Sequence, residues 1–195
     1  MDSGLYVHVP FCVRKCGYCA FFSRPAEPGL VAAWFAGIER ELAALPAGFA
    51  PTSVFFGGGT PTALDEGDLA RLLDLVRARV DLRNLAEWTC EANPGTLSPA
   101  KLARLRAGGV DRLSLGAQSF TAETLKRLGR IHAADETRAA VAQARAAGFA
   151  NVGLDLIYGV PGVARETFQA DVEAALALAP EHLSCYCLEI EAGTP

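Results

Sequence analysis

Leu5-Tyr-Val-His-Val9 followed by Pro-Phe-Cys12-Val-Arg-Lys-Cys16-Gly-Tyr-Cys19 is a short apolar strand that runs directly into three closely spaced thiols. From residue 29 the pattern becomes helical, so the thiols lie on the loop that joins the first strand to the first helix. The same alternation repeats down the chain. Strands are expected at 5–9, 53–56, 86–91, 111–116, 152–158 and 182–188, with helices at about 29–45, 66–79, 99–107, 133–147 and 165–179, several of them stopped by Gly or Pro. Regular β-α alternation requires parallel strands joined by right-handed crossovers, which gives either a barrel or an open doubly wound sheet.

A chain of 195 residues with 51% hydrophobic content can bury one core, so a single domain over 1–195 is expected. The net charge is -4 with both signs scattered, and no basic stripe offers itself to a phosphate backbone, so nucleic acid is not an expected partner. Met1-Asp-Ser-Gly4 has no basic start or small-residue cleavage site, and no run approaches the ~20 apolar residues of a membrane span. The expected location is the cytoplasm. Six cysteines there are not expected to form disulfides, and clustered ones read as metal or redox sites. The chain ends just past the sixth strand, without the helix that the pattern calls for next, as a fragment of a longer protein would; the open strand edge would then be exposed.

Three thiolates on one loop can ligate three irons of a cubane and leave the fourth open, a spacing unlike the four-cysteine ferredoxin runs. Two other readings stand beside this one. Cys16-Gly-Tyr-Cys19 could act as a thiol-redox pair, in which case Cys12 is superfluous. The three cysteines could also hold zinc with His8, although His8 lies within a strand and its side chain need not reach the loop. After the second strand, Gly57-Gly-Gly-Thr-Pro61 lets backbone approach a ligand closely and matches neither a Walker loop nor the dinucleotide fingerprint. The strands also carry ionisable or polar groups: Tyr6 and His8, Glu91, Gln118 and Asp155. Buried carboxylates need partners, and strand ends that deliver such groups to one edge are how barrel-type α/β proteins build a site. Arg130 is either a solvated loop charge or a bidentate partner for a ligand carboxylate. Cys90, Cys185 and Cys187 read as packing, while His132 and His182 show no evident partner.

Taken in order, Tyr6 to Cys19, Gly57 to Pro61, Glu91-Ala-Asn-Pro94, Leu113-Ser-Leu-Gly-Ala-Gln-Ser119 and Leu154-Asp-Leu-Ile-Tyr-Gly-Val-Pro161 resemble the blocks of the coproporphyrinogen III oxidase-like branch of the radical S-adenosylmethionine (SAM) superfamily, over residues 5–195. The resemblance implies a partial (β/α)6 TIM-type barrel, with the last helix and C-terminal region missing. It implies a 4Fe-4S cluster on Cys12, Cys16 and Cys19, and SAM held at the open iron by Tyr6, Tyr18, Gly58, Gly59, Thr60, Glu91, Gln118, Arg130 and Asp155, with Glu189 as a weaker contact through backbone. Reduction would then generate a 5'-deoxyadenosyl radical, the chemistry belonging to the cofactor. The oxidases carry a fourth cysteine where this chain has Phe21, and a long N-terminal extension. Both differences favour the HemW-like branch of haem chaperones, although Ala20 replaces an Asp common there. That branch implies haem as cargo and an apo-haem acceptor protein as partner; the oxidase alternative implies porphyrinogen as substrate.

Overall fold

The computed structural model describes residues 3–191 and residue 194; the terminal residues on which the reading of the chain ends depends lie outside these. Six strands form one parallel sheet in the order β1 to β6: β1 (Gly4–Val9), β2 (Ser53–Gly58), β3 (Glu87–Ala92), β4 (Arg112–Gln118), β5 (Asn151–Tyr158) and β6 (His182–Cys187). The helices are α1 (Pro28–Ala43), α2 (Glu66–Arg79), α3 (Pro99–Gly108), α4 (Ala122–Arg127), α5 (Ala134–Ala146) and α6 (Arg165–Leu176). All six expected strands and five expected helices are present. Periodicity missed α4, whose six residues are too few to show a helical repeat.

The sequential strand order decides between barrel and open sheet. A doubly wound sheet reverses direction at a switch point and so puts helices on both faces. Here the order never reverses, so every crossover returns on the same side and the sheet curls with its helices outside. The core confirms this arrangement. Val7, Val54, Phe56, Trp88, Leu113, Leu115, Val152 and Leu154 project outward from the strands and are buried against Phe35, Leu69, Leu72, Leu105 and Ala144 of the helices. Among the described residues β1 and β6 do not pair, which leaves a partial barrel with two edges.

Local chemistry sets the helix starts. Asp65 accepts from the Asp68 amide at 2.8 Å to open α2, and Ser98 accepts from the Lys101 amide at 3.1 Å to open α3. The inner face is different in kind. Residues side by side in a parallel sheet point the same way, so Tyr6 with Phe55, Phe55 with Thr89, Thr89 with Arg112, Glu91 with Ser114, and Asp155 with Ser184 turn inward together. A polar interior opening at the carboxyl ends of the strands is where this fold can hold a ligand.

Cys185 and Cys187 correct the packing expectation: both are exposed, on a strand at the edge of the sheet where, among the described residues, only Leu183 of that face packs on the core. Cys90 is buried as expected. The outer layer carries the stability. Phe56 is fully buried and meets Trp88 edge-on at 5.4 Å. Phe56→Ala is expected to cost about 3–5 kcal/mol, read as a lower urea midpoint with little change in slope.

Candidate functional site

The thiol loop is pinched at its neck by two backbone bonds, Cys12 N–H to Arg24 C=O at 2.9 Å and Arg24 N–H to Pro10 C=O at 2.8 Å. His8 reaches the loop after all, its Nε2 lying 3.2 Å from the Phe22 carbonyl, so it braces backbone and is not turned toward the thiols. Trp34 of α1 donates to the His8 carbonyl at 3.0 Å and fixes the strand beneath. Within the loop, Cys19 N–H bonds the Cys16 carbonyl at 3.2 Å, folding those two thiols onto one turn.

The glycine loop is stitched to the thiol loop. Gly59 N–H donates to Val9 C=O at 2.9 Å and Thr60 N–H to Phe11 C=O at 2.7 Å, while Thr60 Oγ1 lies 3.6 Å from Cys12 Sγ. Side chains cannot be accommodated here. A Cβ on Gly59 would stand 2.6 Å from the Phe11 carbonyl oxygen. Gly58, at φ +101°, would drive its Cβ to 2.3 Å from His8 Nδ1.

From the third and fourth strands the network continues. Asn93 Nδ2 donates to Thr60 Oγ1 at 2.7 Å, and its Oδ1 accepts from Arg130, which also donates to Gly116 C=O at 2.9 Å and lies 3.5 Å from Cys16 Sγ. Arg130 is therefore folded into the site, and the solvated-charge reading of it is set aside. Glu91 Oε2 accepts from Gly58 N–H at 3.1 Å, and Asp155 accepts from Ser114 Oγ at 3.2 Å. Below them Arg112 donates to Thr89 Oγ1 at 3.1 Å. Burial, and then the charge of Asp155, raise the Glu91 carboxyl to about 7, with the Gly58 amide pulling the other way. Asp155 is raised as well, chiefly by burial. Burial also pushes up Tyr18 and Cys19.

These groups surround a cavity of about 650 Å³. Cys12, Cys16 and Cys19, all free and partly exposed, line it together with Tyr18, Gly58, Gly59, Thr60, Glu91, Gln118, Arg130 and Asp155, and with Glu189 at its rim. Tyr6 does not line it; it lies lower on the inner face, stacked on Phe55 at 5.9 Å. His132 has a partner unseen in the sequence, the Ala117 carbonyl at 3.1 Å from Nε2. Sequence reasoning also missed Asn93 and Ser114, although Asn93 directly before Pro94 at a strand end was a readable signal.

The model of the radical SAM superfamily matches residues 6–175. The chain belongs to the radical SAM superfamily. Membership implies a 4Fe-4S cluster and SAM as cofactors. The donor set fits them. Three free thiols of one loop open on a single cavity, as a cubane that takes each thiolate on a separate iron requires. Relatives named heme chaperone HemW match nearly the whole chain: 43% identity with that of Mycobacterium tuberculosis over 98% of this chain and 50% of the relative, and 40% with that of Escherichia coli over 97% and 51%. The chain thus spans about half the length of these curated relatives. A solved radical SAM enzyme, coproporphyrinogen III oxidase (HemN) from Escherichia coli, superposes with a TM-score of 0.88 at 31% identity, over 96% of this chain and 44% of that one. No helix among the described residues is long and apolar enough to cross a membrane.

The elevated Glu91 value has a stability consequence. Between about 4.5 and 7 the folded chain holds a proton on Glu91 that the unfolded chain releases, so folding stability falls as pH rises through that window. Glu91→Gln is expected to flatten this slope in urea titrations run across the window, and Asp155→Asn to lower the Glu91 midpoint in a carboxyl NMR titration.

Proposed function

We propose that residues 1–195 form one radical SAM core domain, and that it is the cofactor-binding part of a HemW-type haem chaperone. Cys12, Cys16 and Cys19 hold the 4Fe-4S cluster. Tyr18, Gly58, Gly59, Thr60, Glu91, Gln118, Arg130 and Asp155 hold SAM, with Tyr6 supporting from below. The observation that carries this reading is the identity of 40% and 43% to haem chaperones along almost the whole chain, against 31% to the oxidase, together with three thiols opening on one cavity rimmed by strand-end polar groups.

Bound together, the reduced cluster and SAM supply one-electron radical chemistry. The protein's part is placement and electrostatics. The exposed backbone of Gly58 and Gly59 lets a ligand lie against the loop without side chains between. Arg130, beside Cys16, is a fixed cation for the ligand's carboxylate. Glu91 and Asp155 offer negative charge to the cationic end of SAM. Since burial and the charge of Asp155 hold Glu91 protonated up to about 7, a cationic ligand draws its proton off on binding. SAM uptake at a pH of about 6.5 is expected to release protons, seen as a buffer-dependent enthalpy in calorimetry, and the release should vanish in Glu91→Gln.

Haem is the cargo in this reading, and an apo-haem protein receives it. Anaerobic reconstitution with iron and sulfide tests the cofactor assignment: a reduced 4Fe-4S electron paramagnetic resonance (EPR) signal that shifts with SAM and disappears in Cys16→Ala is expected. The chaperone assignment is tested with the full-length protein, which should bind haem and pass it to an apo-acceptor. Absence of haem binding, with anaerobic SAM-dependent decarboxylation of coproporphyrinogen III, would assign it instead to the oxidases.

A further inference from the structure

Gln118 enters the cavity from a backbone conformation that side chains avoid. Its φ is +66°, shared in sign among non-glycine described residues only with Ala179. It closes β4 where the register with β5 shifts between Leu115 and Gln118. Ser119 N–H reaches back over it to Ala117 C=O at 2.8 Å, making a γ-turn of the left-handed, strained kind. The turn throws the Gln118 side chain over Gly116, where a Cβ would stand 2.8 Å from Gln118 Nε2, 2.7 Å from Asn93 Oδ1 and 3.4 Å from Arg130 Nη2. Conformations of this type are costly and persist only where neighbouring structure overdetermines them.

The holding group is on a distant helix. Asp171 of α6 is 2% exposed and takes the three residues that follow Gln118 in turn: Ser119 Oγ donates at 2.5 Å, Phe120 N–H at 2.7 Å and Thr121 Oγ1 at 3.3 Å. Thr121 N–H then closes onto Ser119 Oγ at 3.0 Å. On the other side of the turn, His132 fixes the Ala117 carbonyl that the γ-turn uses. Such a concentration of bonds on one buried carboxylate exceeds what ending a strand requires. We infer that Asp171 is a positioning residue for SAM binding, acting through Gln118 by clamping its strained turn from α6. This rests on the SAM-site reading above and adds to it a residue that never touches the ligand.

A clamp and a merely structural carboxylate differ in how they couple to Gln118. Glycine adopts positive φ at little cost, so in Gln118→Gly the turn stands without the clamp. In the full chain, anaerobically reconstituted, Asp171→Ala is expected to weaken SAM binding about tenfold, while the reduced cluster signal without SAM is unchanged. In the Gln118→Gly background, where SAM binding starts weaker, adding Asp171→Ala should change it by less than about twofold. Ser119→Ala, which removes one of the three bonds to Asp171 along with the bond from Thr121 N–H, should repeat the comparison at roughly threefold and serves if Asp171→Ala does not fold. Equal losses in both backgrounds, or SAM affinity in the Asp171 and Ser119 variants within about twofold of the wild type, would overturn the clamp. A wild-type chain whose cluster signal ignores SAM would instead overturn the SAM-site reading, and the clamp with it.

Discussion

Two backbone bonds, from Gly59 and Thr60 onto the carbonyls of Val9 and Phe11, hold the candidate site together. The thiol loop has no helix or sheet ladder of its own, and a loop of this length gains little from its side chains alone. Its geometry is borrowed from the barrel. The neck formed with Arg24 and the brace of His8 under Phe22 fix one end, and the stitching to the glycine loop fixes the other. That contact is possible only without Cβ atoms at positions 58 and 59, since both would collide with the first strand or its side chain. The glycine run is therefore a requirement of packing two loops backbone to backbone.

From this seam the rest of the site follows by short links. Thr60 receives Asn93, Asn93 receives Arg130, and Arg130 lies against Cys16, so strands β2, β3 and the segment after α4 all register on the same loop. On the barrel side, Glu91 and Asp155 are buried without a full complement of opposite charge. Arg112 below them offsets part of the cost and their own hydrogen bonds part of the remainder, yet both stay raised. A site in this condition is set for a cation. Burial holds these carboxyls toward their neutral forms until a cation arrives, at a cost that apolar residues there would not carry, as expected where binding and not folding has shaped the interior.

How much of this could be read from sequence depended on whether the signal was local. The six strands were legible because each is a short apolar run between turn residues, and the barrel needed only their unbroken order. The cysteine and glycine motifs were legible because their residue types are unusual at strand ends. Arg130 was ambiguous, since whether a loop arginine turns inward depends on Asn93 and Gly116, residues far away in sequence. Cys185 and Cys187 were misread as packing because alternation predicts a strand's faces but not whether anything covers them. Asp171 passed unnoticed as one acid on an amphipathic helix, and its three partners lie some fifty residues earlier.

The central claim is that three thiols of one loop leave one iron of a cluster open to a ligand lodged between the glycine loop and the strand ends. Mössbauer spectroscopy of the chain reconstituted with ⁵⁷Fe tests it most directly. The account predicts that added SAM alters the signal of a single iron site while the others stay as they were, and that Gly59→Ala abolishes the change. A spectrum unaltered by SAM, or one altered equally at every iron, would contradict it.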